Sequence, residues 1–204
     1  MLTRTATYPT GKPSMTELTA EAWSDVLELY QYSYTAVSVA RREHGEWWID
    51  VAAIMHGQTS DPRGWLSLDP DEDEFERLDD PLFPFVEAPT TPADAVRFRP
   101  RVTELPRKSV RSLLVLLGIP GLDVANAAEF DHHRPEMERR ARLILSRFPE
   151  GTRFYSNVGW KGSNPDFYEQ HVRLTDPFSR YGWDAGLIAV NDTEVAMIWH
   201  FDPT

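Results

Sequence analysis

The chain of 204 residues contains no cysteine. Disulfide bonds, thiolate zinc sites, iron–sulfur clusters and cysteine nucleophiles are therefore excluded, and the absence of disulfides fits a reducing compartment. The first residues lack the apolar stretch of a secretory signal peptide. The longest apolar run, residues 113–119, is far shorter than the roughly 20 residues that a membrane span needs. These absences predict a cytoplasmic protein that does not insert into a membrane.

Glycine is also scarce, with 11 residues, which leaves little material for a loop that cradles a nucleotide. The sequence has no phosphate-binding loop, no Gly-x-Gly-x-x-Gly pattern, no Gly-x-Ser-x-Gly elbow and no His-Glu-x-x-His motif. A catalytic triad leaves no such trace, because its members meet only in space. We therefore predict no cofactor, and the motifs that identify many enzyme classes are missing.

Positive charge is in short supply. The chain has 21 lysines and arginines against 32 aspartates and glutamates, so its formal net charge is −11. A negative chain is a poor binder of nucleic acid and of anionic membranes, since both favour a basic surface. Hydrophobic residues make up 41% and charged residues 26%, as in globular proteins. The composition predicts a folded acidic protein whose partner is basic, and it leaves the oligomeric state open.

Hydrophobic patterning predicts an α+β fold. We expect an antiparallel sheet built from an N-terminal hairpin, within residues 32–55, and a central C-terminal hairpin, within residues 185–201. About three helices pack on it: one beginning near Thr19, one over residues 107–117 that ends at a left-handed Gly118, and one that begins at Pro135. The tight turn at Asn191-Asp192 is expected to use left-handed conformations.

Changes in composition suggest how the chain is organised. We predict a flexible N-terminus over residues 1–15, an N-terminal α+β lobe over 16–68, a connection over 69–106 and a C-terminal α+β lobe over 107–204. The connection has an acidic first part and six prolines in its second part, so we expect extended backbone there. The alternative is one single domain spanning residues 16–204.

The acidic run at residues 69–80 holds eight acids and one arginine. Its spacing partly matches a calcium loop, but Glu74 stands where that loop needs glycine. We therefore predict no metal here. The run reads either as a solvated loop or as a patch that docks a basic partner, and the predicted binding residues are Asp69, Asp71, Glu72, Asp73 and Glu74.

The triplet Asp131-His132-His133 precedes the helix expected at Pro135. Asp-His-His occurs in a family of manganese phosphoesterases, but there it accompanies further aspartate motifs that are not seen around it here. The favoured interpretation is that Asp131 or His133 caps the helix. The alternative is a metal-dependent hydrolase that uses the triplet, helped by His171 or His200.

Two further segments carry candidate contacts. Residues 97–111 contain six cations and one acid, which suit either an anion or pairing with the acidic run, and we favour pairing. Residues 154–183 contain eight aromatic residues among polar ones. This composition suits a contact surface, a pocket for a sugar or another small ligand, or a loop packed over the sheet. The rings that we expect to be exposed, and to bind a partner, are Trp160, Tyr168, Tyr181 and Trp183.

These patterns favour a non-enzymatic binding protein. Acidic and poor in motifs, the chain resembles in general character the small immunity proteins that bacteria use against toxins. The expected function is the neutralisation of a basic toxin or nuclease: acids at 69–80 steer the partner and aromatic rings at 154–183 anchor it. The metal-dependent hydrolase and a small-ligand or carbohydrate-binding domain remain the alternatives.

Overall fold

The computed structural model describes residues 19–31, 33–58, 85, 89–170, 172–174 and 177–202. Its helices are α1 Ala20–Leu27, α2 Trp47–Met55, α3 Pro92–Phe98, α4 Arg107–Leu116 and α5 Phe130–Ser146. Its strands are β1 Thr35–Arg41, β2 Thr103–Leu105, β3 Arg153–Ser156, β4 Val158–Gly159, β5 Arg173–Leu174, β6 Trp183–Val190 and β7 Glu194–Asp202. The predicted α+β class is confirmed. Within these residues, no helix has the length and apolar character that crossing a membrane requires.

The main sheet is antiparallel and has the strand order β1-β7-β6-β3-β2, with β4 and β5 forming a separate small ribbon. The predicted C-terminal hairpin is confirmed as β6 and β7, and both of its strands are internal. Its turn is closed by the Asn191 side chain, whose Oδ1 accepts bonds from the amides of Thr193 and Glu194, each at 2.8 Å. Neither Asn191 nor Asp192 is left-handed, so that detail of the prediction is wrong.

The two sides of the sheet bury different side chains, because successive residues of a strand face opposite sides. On one side, which we call the apolar side, α1, α4 and α5 cover aliphatic strand residues such as Leu187 and Ile198. On the other, the aromatic side, α2 and α3 cover a cluster that includes the rings of Trp47, Tyr155, Phe178, Trp199 and Phe201. Each side carries its own hydrophobic core.

The predicted N-terminal hairpin is right only in its first strand. Residues 47–55 form α2, and β1 pairs with β7 instead of with a neighbour in the sequence. A short apolar run does not distinguish a strand from a buried helix by periodicity alone. Here Trp47, Val51 and Ile54 are buried at helical spacing on the aromatic side, and this packing selects the helix.

Residues 92–105 are not the extended connection that the prolines predicted. They form α3, a 3-10 turn over Arg99–Arg101 and strand β2. The prolines fall at positions where the missing amide costs nothing: Pro92 and Pro100 begin helical turns, and Pro106 directly precedes α4. A capping box between Thr91 and Asp94 fixes the start of α3. Residues 1–15 and the acidic part of the connection lie outside the described residues.

Three helix boundaries test the remaining predictions. Thr19 caps α1 as expected, with its Oγ1 accepting from the Ala22 amide at 3.1 Å. Gly118 is not left-handed after α4; its lack of a side chain matters because an added Cβ would lie 2.6 Å from the Leu29 carbonyl oxygen. Helix α5 begins at Phe130, so Pro135 lies inside it. Pro135 is past the first turn, so the helix lacks the amide that would bond to the Asp131 carbonyl oxygen.

Candidate functional site

Of the predicted binding residues, Asp69, Asp71, Glu72, Asp73 and Glu74 lie outside the described residues. The same holds for the partial calcium pattern and for His171. The predicted role of the acidic run therefore stays a prediction. The other predicted residues have defined positions.

The Asp131-His132-His133 triplet occupies the first turn of α5, with all three side chains exposed. The predicted capping role is wrong. Glu129, which is left-handed with φ 54°, is the N-cap, and its carbonyl oxygen accepts the amides of His132 and His133 at 2.9 and 3.1 Å. The helix thus begins before the triplet, and both candidate caps lie within it.

The structure does not gather the triplet into a metal site. Consecutive helix residues are about 100° apart around the axis, so three neighbouring side chains diverge. His133 Nε2 lies 3.7 Å from the Glu129 carboxylate, and His200 is buried elsewhere with Nδ1 3.1 Å from Thr35 Oγ1. Among the residues that the structure describes, no three His, Asp or Glu side chains are placed to hold a metal ion.

Three of the arginines in residues 97–111 pack against other parts of the fold. The Arg101 guanidinium lies 4.0 Å from the Phe178 ring centroid, and that of Arg99 lies 4.9 Å from the Tyr155 ring. Arg107 donates to the Phe148 carbonyl oxygen at 2.6 Å, close to the end of α5. These cations hold elements of the fold together, whereas their predicted pairing with the acidic run stays a prediction.

The four aromatic candidates lie in different environments, and only Trp183 is exposed, at 49%. Trp160 and Tyr168 are half-buried against the core of the apolar side. Tyr181 packs on the aromatic side, edge-on to Tyr34 at 5.8 Å. The expectation that all four rings are exposed is therefore wrong for Trp160, Tyr168 and Tyr181, because each of them packs against one of the two hydrophobic cores. Their role in binding a partner stays a prediction.

An open groove of about 610 Å³ lies between the end of α1, the loop after α4 and the first half of α5. Its lining is mainly apolar, with carboxylate, guanidinium and imidazole groups at the edges. The lining residues are Glu28, Leu29, Gly118, Ile119, Pro120, Asn126, Ala127, Ala128, Phe130, His133, Glu136, Met137 and Arg140. The volume is that of an ordinary ligand or peptide-anchor pocket.

A chain of ion pairs runs along one edge of this groove. The Arg140 guanidinium bridges Glu28, at 2.8 Å, and Glu136, at 3.0 Å. Arg139 also binds Glu136, at 2.6 Å, and reaches Asp25 at 3.7 Å. Hydrogen bonds from Arg139 and Arg140 lower the pKa of Glu136 from 4.5 to about 2. With three carboxylates against two guanidinium groups, the network keeps a formal charge of −1 (2 − 3).

A second polar cluster lies where β1 leads into α2, and our sequence analysis missed it. The Asp50 carboxylate is only 3% exposed. It accepts from Arg42 Nε at 3.1 Å, from the Glu43 amide at 3.1 Å and from His44 Nδ1 at 2.7 Å. The available signal was the lone charged residue in the apolar run "WWIDVAAIM", since a buried carboxylate needs partners nearby.

A third polar cluster surrounds Asp184 on the aromatic side, where this residue is 1% exposed. Its carboxylate accepts from Asn157 Nδ2 at 3.0 Å, from Trp199 Nε1 at 3.1 Å and from the Ser179 amide at 2.6 Å. Burial raises the pKa of Asp184 above its usual 3.8, and the hydrogen bonds oppose that shift. The group joins β6 to β7 and to residues 157 and 179, so it serves the fold.

Comparison of the chain with models of known protein families, with curated proteins and with solved structures finds no match in any of the three.

Proposed function

We propose that this chain is a non-enzymatic acidic binding protein that docks a basic protein partner in the groove between α1 and α5. The observation that carries the proposal is the groove itself: an open, mainly apolar cleft of about 610 Å³ with a net negative edge. It occurs on a chain whose net charge is −11. The apolar lining and the charged edge support different parts of the interaction.

The apolar lining supplies affinity. Pro120, Ala128 and Met137 offer carbon surface to one or two apolar side chains of a partner, and buried anchors of this kind dominate the binding energy of most interfaces. The acidic side chains favour a basic partner over a neutral or acidic one. Glu28 and Glu136 remain about half exposed despite their pairing with arginine, so a lysine or arginine of the partner can reach them. Charges at the edge of an interface mainly change the association rate and its dependence on salt.

The partner class that suits this chemistry is a basic toxin or nuclease, for which the chain would act as an immunity-type inhibitor in the cytoplasm. The acids at 69–74 add negative charge to the chain, which favours association with such a partner, and Trp183 adds an exposed ring. What supports this class is the charge and the absence of enzyme motifs in the sequence, together with the groove.

The test is a binding measurement against a panel of purified basic nucleases and toxins, with neutral and acidic proteins of similar size as controls. We expect association with at least one basic protein, with a rate that falls as salt rises. Met137→Ala removes an apolar anchor and should speed dissociation by about tenfold. Glu28→Gln should mainly slow association.

The matched control is Glu150→Gln, which removes one exposed negative charge outside the groove. If Glu28→Gln and Glu150→Gln change the association rate equally, only the overall charge matters and the groove is not the docking site. Binding that Met137→Ala leaves intact would also exclude the groove. Replacing Asp71 and Asp73 by asparagine and Glu72 and Glu74 by glutamine tests separately whether the acidic run contributes to the association rate.

A further inference from the structure

The slot between α2 and residues 89–95 is a second, smaller cavity of about 320 Å³. One face of α2 forms its floor, since Ile49, Ala52, Ala53 and His56 follow each other at helical spacing. Pro89, Thr90, Thr91, Pro92 and Ala95 form the opposite wall. His44 and Gln58 complete the lining, so two histidines and one side-chain amide take part in a cavity whose other residues are mostly small.

The His44 ring has a fixed orientation. A carboxylate only accepts hydrogen bonds, so the 2.7 Å contact with Asp50 Oδ1 requires the hydrogen to be on Nδ1. In the neutral ring, Nε2 is then the unprotonated nitrogen, on the side of the ring away from Asp50. The His44 side chain remains 45% exposed and lines the slot.

Asp50 does not need His44 for its own satisfaction. Arg42 Nε and the Glu43 amide already donate to its two oxygens. Arg42 also donates to the carbonyl oxygens of His44 and Gly45, each at 2.8 Å, and thereby fixes the backbone that carries the histidine. A buried carboxylate that sets the tautomer of an accessible imidazole is the arrangement found in sites where the second nitrogen has a task.

His56 repeats the pattern at a different point of the slot. Its Nε2 lies 2.9 Å from the Pro89 carbonyl oxygen, which only accepts, so Nε2 carries the hydrogen. Nδ1 of the neutral ring is then unprotonated. Both histidines of the slot thus have their N–H group committed to the protein and an acceptor nitrogen left over.

We propose that this slot is a second binding site, which takes a small ligand rich in hydroxyl or N–H groups and holds it by a hydrogen bond to Nε2 of His44. The volume lies at the lower end for ligand pockets and suits a small molecule. The hydroxyl groups of Thr90 and Thr91 donate to Asp94, so a ligand's donors meet the imidazole nitrogens together with the two hydroxyl oxygens and the side-chain amide of Gln58. This site is separate from the groove and does not depend on the proposed partner.

The test uses the full chain labelled with ¹⁵N, at about pH 8, where unperturbed histidines are neutral. Long-range ¹H–¹⁵N spectra should show His44 as the Nδ1–H tautomer, whereas exposed His132 should show a mixture. Ethylene glycol and acetamide, which both donate hydrogen bonds, should shift the Nε2 resonance of His44 and reach saturation. Acetone, of similar size but without a donor, should not.

Two variants complete the experiment. Ethylene glycol and acetamide should also shift the backbone amide signals of residues 49–56. His44→Asn keeps an amide donor for Asp50 but removes Nε2, so these shifts should be lost in that variant. His132→Asn, outside the slot, should leave them unchanged. The proposal is overturned by a tautomer mixture at His44, by equal shifts with acetone, or by shifts that persist in His44→Asn.

Discussion

The two sides of the sheet stabilise the protein in different ways. The apolar side relies on the burial of aliphatic side chains. Helix α4 has no side-chain hydrogen bond at its N-cap, Pro106, but it buries Leu113, Leu114 and their neighbours almost completely. The aromatic side relies on fitted rings and polar contacts, such as Trp47 stacked on Tyr155 at 4.6 Å. Among the described residues, two carboxylates are buried. They are Asp50 in α2 and Asp184 in β6, and both lie on the aromatic side.

This difference separates two kinds of chemistry. Aliphatic packing is tolerant in shape and leaves an apolar groove on the outside, which suits the anchors of a protein partner. Polar clusters tolerate little change, because each buried donor or acceptor needs its partner, but they can orient an imidazole. Under the two proposals, the groove at α1 and α5 takes the apolar anchors of a basic protein partner, and the slot at α2 and α3 takes a small polar ligand.

The largest expected effect is a Gly186→Ala substitution on the aromatic side. The new Cβ would overlap the Trp199 ring, which lies directly across from Gly186 in the paired strand. We expect a loss of about 3 kcal/mol or more in the free energy of unfolding, because neither strand can move away. Urea unfolding measures it. Gly182→Ala, where the added Cβ meets nothing within 4 Å, is the control; equal losses would contradict the fitted-ring description.

An Asp184→Ala substitution comes next. It leaves the donors of Asn157, Trp199 and Ser179 without their acceptor, and we expect a loss of about 2–3 kcal/mol. Asp184→Asn retains one acceptor oxygen and should lose less. Thermal or urea unfolding of the two variants gives the comparison. Similar losses would mean that cavity formation, and not unsatisfied hydrogen bonding, dominates on this side.

A Thr91→Ala substitution should cost about 1 kcal/mol, as the loss of an N-cap typically does. Helix α3 is short, so it depends on the bond from the Asp94 amide to Thr91 Oγ1, at 3.2 Å. Thr90→Ala is the control, because the Thr90 hydroxyl reaches the Asp94 side chain but no amide of the helix. If the two losses measured by urea unfolding are equal, the cap does not stabilise α3.

The smallest effects concern pH, and they have opposite signs on the two sides. Burial raises the pKa of Asp184 above 3.8, so its contribution to stability is present at low pH and is lost as pH rises through the folded pKa. Arg139 and Arg140 lower the pKa of Glu136 from 4.5 to about 2, so its contribution is present above pH 4.5 and is lost as pH falls toward about 2.

Unfolding curves at about pH 7 and at lower pH test these signs. The stability gap between the parent chain and Asp184→Asn should widen in acid, and the gap to Glu136→Gln should narrow. The stability difference between the parent chain and Glu136→Gln should also be smaller in high salt, since Glu136 is about half exposed. Two gaps that move in the same direction would contradict the assignment of opposite shifts.

Local signals made part of the fold predictable. Thr19 before Glu21 gave the start of α1, and the apolar runs around Asn191 gave the central hairpin. The sequence was misleading where tertiary packing decides between local options. Residues 47–55 form a helix because the aromatic side buries one helical face, and Pro135 lies within α5 because that helix begins at Phe130.

The candidate sites could be predicted less well than the fold. The groove combines Leu29, Ile119 and Met137, which are far apart in the sequence and meet only through the packing of α1 against α5. His44 and Asp50 are close in sequence, but their contact depends on α2 being a helix. The wrong strand assignment for residues 47–55 therefore hid this pair.

The pairing of β1 with β7 has a consequence for the order of events during synthesis. Residues 35–41 emerge from the ribosome early, yet within the described part of the chain they pair with a single strand, residues 194–202. The sheet cannot close until that late segment has been made, and contacts so distant in sequence form slowly. Until then the apolar residues of β1 lack their native cover and are exposed to misassociation, so a chaperone is expected to increase the yield of folded protein.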